Sequence, residues 1–337
     1  MKKILLVLLI IILFSGCGKK KEVENKISEE KEIKKQEEEK IKIIDLESKS
    51  RPYAVMINNL NVVWGYQCGL QDAYIVYEML VEGGLTRLMA IFKDVELERI
   101  GSVRSSRHYF LDYVSENDAL YIHFGWSSEA EKSIKELGIN NVNFLHYEGY
   151  TRDYSLGLAQ EHTAFTTTKK IMDSVNYYGY RTTSDNKPLL NYSGSSLKLN
   201  KKDGVKEANE VYIAFSTGRN TSFVYDKERK IYNRFQNGVA QMDYVTKKQY
   251  TVKNIITYKL PVTFENSNVH IDDQDYQNIG KGNGWYISEG VAVPITWQKD
   301  SRTEKTIYKY KNGKQLVVND GNTHIEIQPN NMELTIK

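Results

Sequence analysis

The chain has 337 residues, 40% of them hydrophobic, and its 46 Lys and Arg against 43 Asp and Glu leave a formal net charge of +3. That size and composition allow a sizeable core, which the chain must build without a disulfide framework, since its only cysteines are Cys17 and Cys68. The near-balanced charge, with no Lys/Arg stripe in the part expected to fold, argues against nucleic acid as a ligand.

Residues 1–16 read as a signal peptide. Lys2 and Lys3 precede an unbroken apolar run, Ile4 to Phe14, too short to span a bilayer as a helix. Small residues Ser15 and Gly16 then lead into Cys17. This stretch resembles a bacterial lipobox, whose cysteine takes a lipid and becomes the mature N-terminus. An ordinary signal peptide with an incidental cysteine is the plainer reading. On the lipobox reading the protein is anchored to the extracytoplasmic face of the cell membrane through Cys17 and does not span it. Residues 17–50 then form a charged tether of mixed Lys and Glu, either a flexible coil or a fraying helix, expected to add nothing to the core.

The fold class expected for the rest is α+β: a mixed α/β domain over residues 51–200, then a β-rich domain over residues 201–337. "RPYAVMINN" reads as a strand over Tyr53 to Ile57. "YEMLVEGGLTRLMAIF", Tyr77 to Phe92, reads as a hairpin turning at Gly83 and Gly84. A two-residue turn there puts Glu78, Leu80, Glu82, Leu85, Arg87 and Met89 on one face. That mixed face is either a half-exposed surface with a salt bridge or the floor of a polar site. A one-residue slip would move every carboxylate to the opposite face.

Further on, "RIGSVRSSRHYF" places Arg99, Arg104 and Arg107 just before or inside the first turn of a helix capped by Ser105 or Ser106. There they would suit an anion, or else bind Glu78 and Glu82 within the fold. "ALYIHFGW" reads as a buried strand with His123 near its carboxyl end, where α/β folds place ligands, although a satisfied core histidine is the commoner case. Ser127 or Ser128 caps a helix closed by Gly138, and Thr166 to Tyr177 reads as another. "TRDYSLGLAQEHTAF" carries Arg152, Glu161 and His162 in a long loop. After a Gly/Ser/Asn-rich stretch at 191–205 come short alternating strands, with "KNGK" at Lys311 to Lys314 as a hairpin turn and "GKGNGW" at Gly280 to Trp285 as a turn. No zinc spacing, nucleophile elbow or phosphate-binding loop occurs, so no metal or cofactor is expected.

Taken in order, "RPYAVMINN", "CGLQDAYIVYEMLVEGGLTRLMAIF", "IGSVRSSRHYF", "IHFGWSSEA", "EHTAFTTT", "YNRFQNGVAQMD" and "GNGWYISEGVAVPITWQKDS" resemble the YerB-like bacterial lipoproteins. The resemblance covers nearly all of residues 51–337 and implies a two-domain exported lipoprotein, not a reaction. Its recurrent positions fall on Glu78, Glu82, Gly83, Gly84, Thr86, Arg87, Arg104, Ser105, Arg107, His123 and His162. Ser102 and Glu161 stand where the family often has Pro.

Two functions fit this pattern. The first is a binding module for an envelope component, peptidoglycan or another glycan polymer or a protein, using Arg87, Arg104, Arg107, His123, Arg152 and His162. The second is a glycan-cleaving enzyme with Glu82 or Glu78 as acid/base; the neighbouring arginines speak against an acid, because they favour the ionised carboxylate. A scaffold without a site, in which the Glu and Arg side chains pair internally, is the third possibility.

Overall fold

The computed structural model describes residues 40–264 and 274–337; the signal segment, Cys17 and most of the tether lie outside the described residues. Residues 41–337 form one compact unit. Its first strands are β1 (Tyr53–Asn58), β2 (Ile75–Val81), β3 (Leu85–Phe92), β4 (Leu120–His123) and β5 (Asn141–Asn143). Among the described residues three α-helices accompany them: α1 (Leu111–Glu116), α2 (Ser128–Glu136) and α3 (Thr168–Tyr177). The β-rich part supplies β6 (Glu210–Ser216), β7 (Arg219–Asp226), β8 (Ile231–Gln236), β9 (Asn254–Leu260), β10 (Gly280–Ser288), β11 (Val291–Lys299), β12 (Thr323–Pro329) and β13 (Leu334–Ile336). The mixed α/β character of the first part and the β-rich second part are as the alternation and turn signals predict.

One 11-stranded sheet joins the two parts, running β11-β10-β9-β12-β2-β3-β1-β4-β5 with short strands added on β11. The seam is the parallel pair β2–β12, in which Ile75 faces Thr323 and Glu78 faces Glu326. Strands β6, β7, β8 and β13 belong to a second, six-stranded sheet. Strands β2 and β3 lie in the middle of the main sheet. Every residue of β2 is buried, and so is every residue of β3 from Thr86 on. The half-exposed strand pair allowed by the sequence is therefore not what forms.

The hairpin register also differs from the two-residue turn. Val81 faces Leu85, Met79 faces Arg87 and Glu78 faces Leu88. The loop holds three residues, Glu82, Gly83 and Gly84, with both glycines at left-handed φ of 70° and 69°, a conformation that glycine adopts without a Cβ penalty. The shift by one residue puts Glu78 and Arg87 on opposite faces of the sheet.

Three further expectations are corrected. Ile44 is 4% exposed and Ile41 and Ile43 pack against the same core, so the end of the presumed tether belongs to the fold. "GKGNGW" is strand β10 rather than a turn. Its glycines allow close approach: a Cβ on Gly284 would sit 2.7 Å from the Thr257 carbonyl oxygen, and one on Gly282 would sit 2.8 Å from Trp297 Nε1. Helix α1 begins only after a 3₁₀ turn over His108–Phe110, with no side-chain cap from Ser105 or Ser106. Helix α2 does follow its sequence signal, with the Ser127 hydroxyl accepting from Ala130 N at 3.2 Å.

Candidate functional site

Strands β1, β4 and β5 are mutually parallel, so Asn58, His123 and Asn143 all end at one edge of the sheet. Open α/β sheets bind ligands at such carboxyl edges. The segment before α1 crosses this edge as extended chain. Arg104 N donates to Met56 O at 2.9 Å, Phe124 N to Arg104 O at 3.0 Å, and Ser106 N to Gly125 O at 2.9 Å. Arg104 and Arg107 are thus fixed by strand-end contacts and not by a helix face. Arg87 arrives at the same edge because it pairs with Asn58 across β3 and β1.

Glu82, on the hairpin loop, is the anion among these cations. Arg107 donates to it from Nε at 2.9 Å and also from Nη2, and Arg87 Nη2 lies 3.4 Å from its Oε1. Arg87 is tied further to Ser105 O at 2.6 Å. Burial by itself would raise the Glu82 carboxyl, but the Arg107 hydrogen bond and the charges of Arg87 and Arg107 hold it down to about 2. A carboxyl lowered from 4.5 to about 2 stabilises the fold fully above the unfolded value and loses that contribution as pH falls through the folded one. Wild-type protein is therefore expected to lose up to about 3 kcal/mol from this group on acidification through that window. Urea titrations across the same pH range on Glu82→Gln check this: a variant with an unchanged acid limb places the loss elsewhere.

Beside this cluster lies the loop before α3. Arg104 Nη1 donates to Glu161 O at 3.1 Å. Arg152 binds the carbonyl of Gln160 and lies over the rings of Phe124 (4.9 Å) and Tyr150 (5.4 Å). His162 Nδ1 sits 3.0 Å from Asn58 Nδ2, which makes that nitrogen the acceptor and leaves the proton on Nε2. Glu161, Gln160 and His146 are exposed, and Arg104 and Arg152 are half-buried.

Aromatic side chains continue the edge. Trp126 lies 5.5 Å from His123 and 5.6 Å from His146, ring to ring. Phe124, Tyr150 and Phe144 pack together, and Tyr147, Tyr177, Tyr178 and Tyr180 form a second group with centroids 5.0–5.9 Å apart. Tyr177 is 72% exposed. Gly149 joins the two groups, since a Cβ there would stand 2.7 Å from Phe144 and 3.3 Å from Tyr147. The sequence held a signal for this row in the density of rings from Phe144 to Tyr180, but not for its placement.

The edge thus gathers Glu82, Arg87, Arg104, Arg107, Arg152 and His162. His123 is near but sealed. Its Nδ1 faces Gly125 O at 2.8 Å and its Nε2 faces Asn141 Oδ1 at 3.0 Å. Burial lowers it to about 4, so it is a neutral core histidine at ordinary pH. Glu78 does not belong to the edge. It is fully buried on the opposite face, bonded to Arg234 Nη2 (2.5 Å), Thr221 Oγ1 (2.9 Å), Asn59 Nδ2 (3.1 Å) and Gln236 Nε2 (3.2 Å). Its strand neighbour Glu326 is pushed well above the usual carboxyl range by burial and by the Glu78 charge, so it is neutral beside it. Arg234 and Glu326 are side chains that sequence reasoning missed. Their inward period of two in "KIYNRFQN" and "THIEIQP" was the available signal.

Among the described residues no group of His, Cys, Asp and Glu has the make-up of a metal site, and Cys68 is a buried free thiol that burial pushes up to about 12.

Two family models match the chain: "Protein of unknown function (DUF3048) N-terminal domain" over residues 41–181 and "Protein of unknown function (DUF3048) C-terminal domain" over residues 211–325. The YerB protein of Bacillus subtilis (strain 168) is 30% identical over 289 residues, 83% of this chain and 81% of that protein. The crystal structure of Bacillus subtilis YerB superposes with a TM-score of 0.74 at 25% identity, covering 89% of this chain and 98% of that one. With both parts of the family matched in order and a relative aligned over most of both chains, the chain belongs to the YerB-like family of bacterial lipoproteins.

Proposed function

We propose that this lipoprotein is held by lipid on Cys17 at the extracytoplasmic face of the membrane and binds an anionic polymer of the cell envelope, peptidoglycan first among them, along the carboxyl edge of β1, β4 and β5. The observation that carries this reading is the half-open edge at which Arg152 lies over the Phe124 and Tyr150 rings while Arg104 reaches the neighbouring Glu161 carbonyl. Guanidinium groups take carboxylates in a fixed fork geometry, and flat aromatic faces give apolar area to a ring at low entropic cost. Glycan cleavage has less support. Glu78 is sealed from any polymer, and Glu82 is ionised at neutral pH with no proton to give a leaving group.

The test is co-sedimentation of residues 41–337 with purified sacculi. Each lost charge-assisted contact weakens binding by about tenfold or more, so Arg104→Ala with Arg152→Ala should leave most of the protein in the supernatant while circular dichroism stays unchanged. Equal sedimentation of variant and wild type would sink the reading. Release of muropeptides that disappears in Glu82→Gln would replace it by a catalytic one.

A further inference from the structure

Two turns from distant parts of the chain meet on the surface, far in sequence from the edge residues proposed to bind the polymer. One runs through Val62, Trp64 and Tyr66, the other through Met242, Tyr244 and Val245. They are joined where Tyr244 N donates to Gln67 O at 2.8 Å and the Tyr66 and Tyr244 rings lie 5.6 Å apart. Val62 is 47% exposed, Met242 36% and Val245 59%. Trp64, Tyr66 and Tyr244 are half-buried around them, and Lys247 and Lys248 are exposed at their margin.

These turns are rigidly built. The Asp243 carboxylate accepts from Gly69 N (3.0 Å), Val245 N (2.9 Å), Thr246 N (2.7 Å) and Tyr250 Oη (2.9 Å). Trp64 Nε1 donates to Asn59 O at 3.1 Å, and the Arg219 guanidinium covers one face of its ring at 4.9 Å. The apolar tips Val62, Met242 and Val245 are therefore held partly exposed by an internal hydrogen-bond frame, with Arg99 lying 5.4 Å over the neighbouring Tyr244 ring.

We infer that this patch is a membrane-contact surface that seats the folded unit on a bilayer carrying anionic headgroups. The composition favours lipid over a protein partner. Trp and Tyr concentrate at the bilayer interface, where a ring body is apolar and its tip is wet. Valine and methionine side chains enter the acyl boundary. Lysines at the margin reach the headgroup phosphates, and Lys247 Nζ already stands 3.9 Å over the Tyr244 ring. A lipoprotein is confined near such a surface, so even a weak contact is populated at the effective concentration the anchor provides.

Residues 41–337, which contain both cores and lack the lipid, are mixed with vesicles of phosphatidylcholine alone or with added phosphatidylglycerol. Sedimentation is followed together with quenching of tryptophan emission by brominated lipid. Binding to the anionic vesicles is expected to weaken with salt and to fall at least about tenfold in Val62→Asp with Val245→Asp. Quenching should disappear in Trp64→Phe while the other three tryptophans still emit. Absence of sedimentation with either vesicle, or equal sedimentation of the double variant, overturns the assignment. So does a dimer in analytical ultracentrifugation that the double variant abolishes, which would give the patch to a second copy of the chain. Sacculus binding is measured on the same variants and should not change, so failure here and failure of the polymer-binding reading are separately visible.

Discussion

Replacing Arg234 with methionine is expected to lower the free energy of unfolding by about 3 kcal/mol, because it strips the buried Glu78 carboxylate of its hydrogen-bonded cation. Both side chains are completely buried and sit 2.5 Å apart between the two sheets. Burial, followed by the Arg234 charge, keeps neighbouring His324 well below the usual histidine range. The charge of buried Arg219 also reaches Glu78, but among the described residues no hydrogen bond joins these two side chains. The three neutral donors left to Glu78, from Thr221, Gln236 and Asn59, do not replace a charge. Adding Glu78→Gln to Arg234→Met removes the stranded carboxylate and should recover a large share of the loss, since exchanging both partners of a buried pair is far milder than deleting one. Urea midpoints of wild type, single and double variants decide it. A single variant within about 1 kcal/mol of wild type would show that the pair does not hold the sheets together.

The second large effect is expected at Lys299. Its ammonium lies 3.0 Å from Glu116 Oε2, with side-chain exposures of 1% and 0%. Glu116 ends α1 and also accepts from Tyr77 Oη (2.7 Å), Thr306 N (2.8 Å) and Thr306 Oγ1 (2.6 Å). The pair thus ties the helix of the first part to the end of β11 in the second. Lys299→Met should cost about 3 kcal/mol, at the low end for a broken buried pair because three neutral donors remain on the carboxylate. Hydrogen exchange reports it locally: amides of α1 should open faster than those of α3, which does not touch this pair. Uniform acceleration over all helices would point to a general loss of stability instead.

Features that depend on near neighbours in sequence were legible without the fold. The Ser127 cap, the strand that ends at Asn58 and the pairing of Glu82 with Arg87 all follow from residues a short distance apart. The Glu82–Arg87 pair survived even a wrong register, because both side chains flank the same loop. Glu78 did not, since its cation lies 156 positions away and a shift of one residue turned it to the other face. The "GKGNGW" stretch failed for a related reason. Glycines read locally as a turn, but here they let β10 lie against the Thr257 carbonyl and the Trp297 ring.

By itself the sequence determined many of the elements, the α+β class and the family, because caps, side-chain periods and ordered motifs are written within a few residues of each other. Only the tertiary structure decided that the two parts share one sheet, that Glu78 is sealed while Glu82 is half-open, and that Arg152 meets the Phe124 and Tyr150 rings. Those outcomes rest on hairpin register and on the parallel pairing of β2 with β12. Both are set by which long-range packing buries the most apolar surface while leaving the fewest charges unpaired.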